Sequence, residues 1–230
     1  MSLVCLKEII IVRGLPSVLL DHLLIPIGAE LATRVNLPGL LIQDHLPRSL
    51  DNLKNLSAFT KIQLSSRKHD MCIRFSGPNG LVEMMSEISR VGETRVLFKS
   101  LAQFDTSKTE QLEIDHGGSP SSEHPYQAFL PMKKLLTLTL FLCARPHIFI
   151  HALDPSMSSS GVLVCPKLEE IIVEHRGAFD IESIFGVAAA RASRWAKLKR
   201  VKIVSWGGLA EIDVSELRKH VSHVECSHVG

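Results

Sequence analysis

The stretch Leu168–Val173, which reads LEEIIV, decides the fold because the chain contains nearly the same phrase three times. The other copies are LKEIII at Leu6–Ile11 and LKRVKI at Leu198–Ile203. Each copy has a leucine, two charged residues and two β-branched aliphatic residues two positions apart, and a glycine follows within four residues. A repeated unit of this kind is typical of a solenoid, in which each unit buries its apolar side only against its neighbours.

The spacing of the repeats indicates the architecture. Residues 135–140, LLTLTL, match the phrase only in its apolar positions Leu135, Leu138 and Leu140. Leu135 and the opening leucines of the next two copies, Leu168 and Leu198, lie about thirty residues apart, close to the leucine-rich-repeat range. Segments with helical periodicity separate the strands, which predicts parallel strands joined by crossovers. Polar and apolar residues alternate along each strand, which favours one covered face over a doubly wound sheet, whose strands are apolar on both faces. We therefore predict an α/β, leucine-rich-repeat-like solenoid with a parallel concave sheet and helices on the outer side.

Caps and periodicity predict three helices in the second half of the chain. Pro146 suits the first turn of one helix. Asp180 can cap another, whose apolar positions run from Ile181 to Trp195. The capping box Asp213–Glu216 predicts the start of a third helix.

The first part of the chain, residues 1–116, carries the repeat less regularly than residues 130–230. The runs Phe59–Ser65 and Met71–Phe75 predict a hairpin, and Asn79 can cap a helix that carries Leu81 inward. A further strand is expected at Leu37–Ile42. The polar loops are too short to separate domains, so residues 1–230 are expected to form a single domain.

Charge and composition argue against several classes of function. Lys and Arg number 26 against 24 Asp and Glu, a net charge of +2, and nucleic-acid binding needs basic charge gathered into a stripe. Aromatic residues make up 5% of the chain, too few to suggest a platform for stacked bases. We therefore expect no nucleic-acid partner.

The cysteines and the apolar runs bear on location. The five cysteines are scattered and form no CxxC motif, which favours a reducing compartment. Lys7 and Glu8 interrupt the first apolar run before it reaches the length of a signal peptide. The longest apolar run, Leu135–Ala144, is about half of what a bilayer requires. These features predict a cytoplasmic or nuclear protein without a membrane partner.

Six longer phrases of the sequence are specific enough to compare with known families: LPRSLDNLKNLSAF (Leu46–Phe59), RFSGPNG (Arg74–Gly80), LAQFDTSKTEQLEID (Leu101–Asp115), PHIFIHALDPSMSSS (Pro146–Ser160), VCPKLEEIIV (Val164–Val173) and VAAARASRWAKLK (Val187–Lys199). Through these phrases the chain resembles the C-terminal region of basidiomycete fungal F-box proteins, and the resemblance covers most of the sequence.

In that family an N-terminal F-box docks the Skp adaptor of a cullin ubiquitin ligase, and a leucine-rich-repeat-like region presents the substrate-binding surface. This chain departs from the pattern because Leu15–Leu20 resembles an F-box opening, but Pro26 and Gly28 break the helix that should follow. The resemblance thus implies a non-enzymatic protein-recognition module, with a Skp adaptor only if an F-box is supplied upstream. No individual site residue follows from the resemblance.

The strand positions that point away from the core are the candidate partner-binding residues. Stacking of adjacent copies in register predicts Glu170 beside Arg200, Ile172 beside Lys202 and Glu169 beside Lys199. The predicted concave surface comprises Lys61, Gln63, Glu113, Asp115, Thr137, Thr139, Glu170, Glu174, Arg200 and Lys202. The predicted core behind it comprises Leu138, Leu140, Ile171, Val173, Val201 and Ile203.

Two groups of possible metal ligands are weak candidates. His147 and His151 are four residues apart on a predicted helix, but both are expected to face water. His223 should point away from Cys226 and His228 if the tail is a strand, because side chains alternate. We therefore expect no metal and no cofactor.

Two alternatives to a recognition module remain open. A small α/β enzyme of hydrolase type would place its catalytic residues at the carboxyl ends of the strands, around Cys143, His175 and Trp206. A truncated paralogue without a partner is the other, because the chain opens on a repeat strand that has no polar cap before it. More N-terminal sequence is expected in the second case.

Overall fold

The computed structural model describes residues 8–12, 32–37, 59–67, 70–77, 80–87, 98, 101, 104–116, 123–157, 162–176, 181–206 and 214–229. The F-box-like opening Leu15–Leu20 and the caps Asp180 and Asp213 lie outside these ranges. The predicted strand Leu37–Ile42 does so as well, except for Leu37.

Ten strands and four α-helices have bounds within the described ranges, and Phe98 and Leu101 are also helical. The strands are β1 (Glu8–Val12), β2 (Ala32–Leu37), β3 (Lys61–Arg67), β4 (Asp70–Gly77), β5 (Gly80–Glu87), β6 (Gln111–His116), β7 (Thr137–Phe141), β8 (Glu170–His175), β9 (Arg200–Ser205) and β10 (His223–His228). The helices are α1 (Glu123–Phe129), α2 (Pro146–His151), α3 (Glu182–Ala192) and α4 (Ser215–His220), with a 3-10 turn at Pro155–Met157.

The strands form one open, mostly parallel sheet in the order β1-β2-β5-β4-β3-β6-β7-β8-β9-β10. Seven of the nine neighbouring pairs are parallel, and the two antiparallel pairs are β3 with β4 and β4 with β5. From β6 to β10 each strand pairs with the next one along the chain. The prediction of an α/β fold with a largely parallel sheet is therefore confirmed.

The antiparallel part corrects one prediction. The hairpin of β3 with β4 is confirmed, but the helix expected after Asn79 is wrong, since Gly80–Glu87 is strand β5. Gly77 pairs with Gly80, and the eight residues of each strand pair along their whole length. The helical spacing of apolar residues in this segment was outweighed by pairing with β4 on one side and β2 on the other, because strand formation depends on neighbours more than on local propensity.

The core lies against one face of the sheet. All six predicted core aliphatics on β7, β8 and β9 are buried, and Ile171 is 0% exposed. The same two rows continue across the sheet as Phe75, Ile73, Ile62, Leu64, Leu112 and Ile114. Because residues i and i+2 of a strand share a face, the polar residues between these positions must all lie on the opposite face.

Helices α2, α3 and α4 connect successive parallel strands from β7 to β10. Each packs on the next along the chain, and α1 packs on α2. Pro146 opens α2 as predicted, whereas the sequence reading missed α1. A parallel pair needs a crossover, and one short helix supplies it in each of these units.

The inner face of α3 differs from the predicted one. Ile184 and Ala188 are buried as expected, but Trp195 lies beyond the end of the helix and is 98% exposed. Arg191 takes an inward position instead and is 0% exposed. Its Nη1 donates to the carbonyl of Val164 over 2.9 Å, and its Nη2 donates to the carbonyl of Cys165 over 2.8 Å.

Candidate functional site

All ten predicted partner-binding residues lie on the face of the sheet opposite the core, which we call the polar face. Each of them is partly exposed. They are contributed in pairs by five strands: Lys61 and Gln63 by β3, Glu113 and Asp115 by β6, Thr137 and Thr139 by β7, Glu170 and Glu174 by β8, and Arg200 and Lys202 by β9.

The strand register arranges these residues in rows that cross the sheet. Neighbouring strands are paired without any offset from β3 to β9, so equivalent positions stand side by side. The first row is Lys61, Gln111, Thr137, Glu170 and Arg200; the second is Gln63, Glu113, Thr139, Ile172 and Lys202; the third includes Asp115, Phe141 and Glu174.

One network of charged and polar groups spans β5, β4, β3 and β6. Arg74 donates from Nε to Oε2 of Glu83 over 2.7 Å, and its Nη2 contacts the same oxygen. Gln63 links this pair to the next strand, since it accepts from Arg74 and donates to Glu113 over 2.9 Å. Lys61 completes the network with its Nζ 3.2 Å from Oε2 of Glu113. The side chain of Glu83 is almost fully buried, so this network holds its carboxylate in a fixed place.

A second network spans β7 to β10. The guanidinium of Arg200 donates to Glu170 over 2.7 Å and to Glu225 over 2.9 Å. Thr137 donates to Glu170 over 3.4 Å, and the ring of His223 lies 2.7 Å from Glu225. Arg200 thus joins carboxylates on both neighbouring strands, which fixes the direction of its fork.

These contacts shift the pKa of the charged groups. The hydrogen bond from Arg200, followed by that of His223, lowers the pKa of the Glu225 carboxyl. The hydrogen bond to Glu225 raises the pKa of Arg200, with a further contribution from Glu170. The hydrogen bond to Glu83 likewise raises the pKa of Arg74. The carboxylate of Glu225 and the guanidinium groups of Arg200 and Arg74 are therefore favoured in their charged forms.

Some polar groups on β7, β8 and β9 are not engaged in either network. Within the ranges that the structure describes, the side chains of Thr139, Glu174 and Lys202 make no hydrogen bond or ion pair. Ile172 and Phe141 stand beside them and are partly exposed. This part of the polar face thus presents an acceptor, a cation and apolar surface to the solvent.

Sequence reasoning missed three members of these networks. Arg74 was placed in a hairpin without a role, although it alternates with Ile73 and Phe75 and so had to face away from the core. Glu83 was hidden by the wrong helix prediction. Glu225 stands in line with Lys202 on β10 and could have been found by extending the predicted register by one strand.

The residues named for the enzyme alternative lie at or just after the carboxyl ends of β7, β8 and β9. Cys143 is 2% exposed, and its thiol lies 3.3 Å from the carbonyl oxygen of Ile114. Trp206 is 47% exposed just after β9, and His175 ends β8. Cys165 is a second buried thiol, and it lies in the turn before β8. Burial desolvates its thiolate and raises its pKa to about 12. Buried thiols of this kind are typical of packing and not of nucleophiles.

The histidine pairs do not assemble a metal site in the part of the chain that is described. The rings of His147 and His151 have centroids 6.3 Å apart. The tail forms strand β10, so the prediction that His223 points away from Cys226 is confirmed by the alternation of side chains. Among the described residues, no three His, Cys, Asp or Glu side chains are grouped closely enough to hold a metal ion.

Comparison with known proteins gives no match. No family model, curated protein or solved structure matches the chain. The described helices include none that is long and apolar enough to cross a membrane.

Proposed function

We propose that the chain is a leucine-rich-repeat-like solenoid that acts as a non-enzymatic protein-recognition module and binds its partner on the polar face. The observation that carries the proposal is the arrangement of the polar face in register. Its rows cross consecutive strands of one open sheet, whose other face is the core. A solenoid is supported by the stacking of strand–helix units from β7 to β10, each beside the next along the chain.

The two networks support recognition because they hold charged groups ready for a partner. Arg74, Glu83, Glu170 and Arg200 are kept in place by neighbours on adjacent strands. Fixed charges lose little conformational entropy when a partner binds, which favours affinity and specificity. The unengaged groups Thr139, Glu174 and Lys202 lie on the same strands as the second network, where direct contacts with a partner can form.

The resemblance to fungal F-box proteins suggests which kind of recognition module this would be. The module would correspond to the region by which these ubiquitin-ligase adaptors bind substrates, and it would need no cofactor. A Skp adaptor would join only if an F-box is supplied upstream. The substrate would be a folded protein or segment with charges complementary to the polar face.

Site-specific photo-crosslinking tests the proposal. A photoreactive amino acid is placed at Thr139 in the middle of the polar face, or at Gln127 on the exposed side of α1 as the control. Both proteins are irradiated in a lysate of the native host, and crosslinked proteins are identified by mass spectrometry. We expect a partner crosslinked from position 139 and not from position 127.

A pair of charge variants then tests the crosslinked partner with purified proteins. Thr139→Arg with Lys202→Glu alters the polar face, whereas Gln127→Arg with Arg218→Glu makes matched charge changes on exposed helix positions. We expect at least a tenfold loss of affinity, about 1.4 kcal/mol, in the first variant only. Equal crosslinking from both positions, or equal loss in both variants, would overturn the proposal.

A further inference from the structure

The turns that lead into four neighbouring strands each carry an exposed lysine at the same position. In every case the lysine stands three residues before the first residue of the strand. These residues are Lys108, Lys134, Lys167 and Lys197, which precede β6, β7, β8 and β9. We call them the lysine row. Parallel strands begin at the same side of a sheet, so the four lysines lie along the side formed by the amino-terminal ends of these strands, which we call the amino-terminal edge.

The backbone explains why these lysines point outward. The residue after each lysine is buried, as Leu135, Leu168 and Leu198 are. In the turns before β7 and β8, the amide of that buried residue donates to the carbonyl three residues earlier, over 3.3 Å and 3.0 Å. The inward anchor on one side of the turn leaves the lysine on the solvent side.

Stacking of the units extends beyond the strands into these turns. The amide of Leu136 donates to the carbonyl of Glu110, that of Glu169 to Leu136 and that of Lys199 to Glu169. Each bond joins the residues that immediately precede neighbouring strands. The turns are therefore aligned like the strands, and the lysine row advances by about 4.8 Å per unit.

The lysine row keeps its charge available. Within the described ranges, none of its four lysines makes an ion pair. The nearby carboxylate of Glu169 is paired with Lys199 over 2.7 Å. Asp105 accepts from the amide of Ser107, and Lys108 adds a weaker electrostatic attraction that helps to lower the pKa of Asp105. Glu110 is a further exposed acid at this edge, and Lys133 a further exposed cation.

Trp195 stands at the same edge in an unusual state. It occupies the position five residues before β9, where the units before it have the buried residues Thr106, Met132 and Cys165. Trp195 differs from them in being 98% exposed, whereas its left-handed φ of 61° is similar to the 47° of Cys165. An exposed indole two residues from Lys197 adds apolar surface of the kind that dominates protein–protein contacts.

We propose that the lysine row binds an acidic segment of a partner protein, with Trp195 as an apolar anchor at one end. The row is a line of single charges, which fits an extended chain better than the plane of a lipid surface. Alternate side chains of an extended peptide repeat at about 6.8 Å, within reach of flexible lysines. Glu110 and Glu169 stand immediately beside the row, where they would repel a continuous phosphate backbone more than spaced carboxylates.

This surface is distinct from the polar face, and its test does not depend on the function proposed above. The probe is a fluorescently labelled oligoglutamate peptide, whose binding is followed by anisotropy at low and physiological salt. Changing the lysine row to glutamine should weaken binding about tenfold or more, and added salt should weaken binding to the wild type. The control changes Arg145, Arg176, Arg218 and Lys219 to glutamine, which removes the same number of exposed charges outside both the lysine row and the polar face and should change affinity less than about twofold.

Two single variants keep the result interpretable if the fourfold variant is unstable. Lys167→Glu should weaken binding of the oligoglutamate probe. Trp195→Ala should weaken binding of a second probe, an oligoglutamate with one terminal leucine, and this loss should be larger than the loss for the plain probe. Absence of binding by the wild type, or equal loss in the row and control variants, would overturn the proposal. Tighter binding of an oligothymidylate of the same length, or of vesicles containing phosphatidylserine, would overturn it in favour of a nucleic acid or a membrane.

Discussion

Nη1 of Arg200 lies 2.7 Å from Oε1 of Glu170 on the adjacent parallel strand. The two residues are register partners, as stacking of the LEEIIV and LKRVKI phrases predicts. One residue earlier, Lys199 and Glu169 form a second ion pair over 2.7 Å. Because register also sets which residues face the core, these cross-strand charges and the buried aliphatics specify the same alignment.

Replacing a core residue should destabilise the chain far more than replacing its neighbour in sequence. Ile171 is 0% exposed, whereas Ile172 lies on the polar face and is partly exposed. Ile171→Ala should lower the free energy of unfolding by about 2–5 kcal/mol, because it removes buried methyl groups and leaves a cavity. The matched control Ile172→Ala should cost less than about 1.5 kcal/mol. Urea unfolding measures both, and similar losses would contradict the assignment of the two faces.

The Glu170–Arg200 pair should contribute a small, salt-sensitive coupling to stability. The side chains are 23% and 39% exposed, so solvent screens the attraction. A double-mutant cycle with Glu170→Gln and Arg200→Gln should give a coupling that shrinks as sodium chloride is added. The more exposed Glu169–Lys199 pair serves as a comparison and should couple more weakly. A coupling independent of salt would contradict this expectation.

The stability of the chain should fall in acid partly through Glu225. Its hydrogen bonds from Arg200 and His223 hold its pKa in the folded chain below the ordinary value of 4.5. The ionised carboxylate therefore stabilises the fold fully above that value, and this contribution is lost as the pH falls through the lower, folded pKa. Glu225→Gln should narrow the difference in Tm between neutral and acid pH.

Arg200→Gln provides the control for the acid transition, since it removes the largest cause of the shift. In an Arg200→Gln background, Glu225→Gln should change the pH dependence of Tm less than it does in the wild type. If Glu225→Gln lowers Tm equally at neutral and acid pH, the carboxylate makes no ionisation-dependent contribution.

Arg191 should be required for stability because its buried guanidinium satisfies buried carbonyls. Arg191→Met keeps most of the volume but leaves the carbonyl oxygens of Val164 and Cys165 without these donors. The expected loss is about 2–4 kcal/mol. Arg218→Met, at an exposed position of α4, is the control and should be nearly neutral. A neutral Arg191→Met would show that the carbonyls find other donors.

Several features could be predicted from sequence because they follow from local periodicity. Alternation along Leu168–Val173 fixed which side chains enter the core, and repetition fixed the pairing of β8 with β9. The same reasoning failed at Gly80–Glu87, where the apolar spacing favours a helix although the segment is a strand. Pairing with β4 and β2 decided that segment, and pairing partners are not encoded in the segment itself.

The sequence alone therefore determined the repeated strand phrase, its buried aliphatics and ten of the residues on the polar face, because a strand has a strict period of two. Tertiary structure decided how distant residues meet. It brought Arg74 and Glu83 into the polar network, turned Arg191 inward and left Trp195 exposed. It also aligned four lysines, spread over some ninety residues of a nearly neutral chain, along one edge. The physical reason is that neighbouring strands stack in register. Side chains that are distant in sequence therefore lie only about one strand spacing from each other.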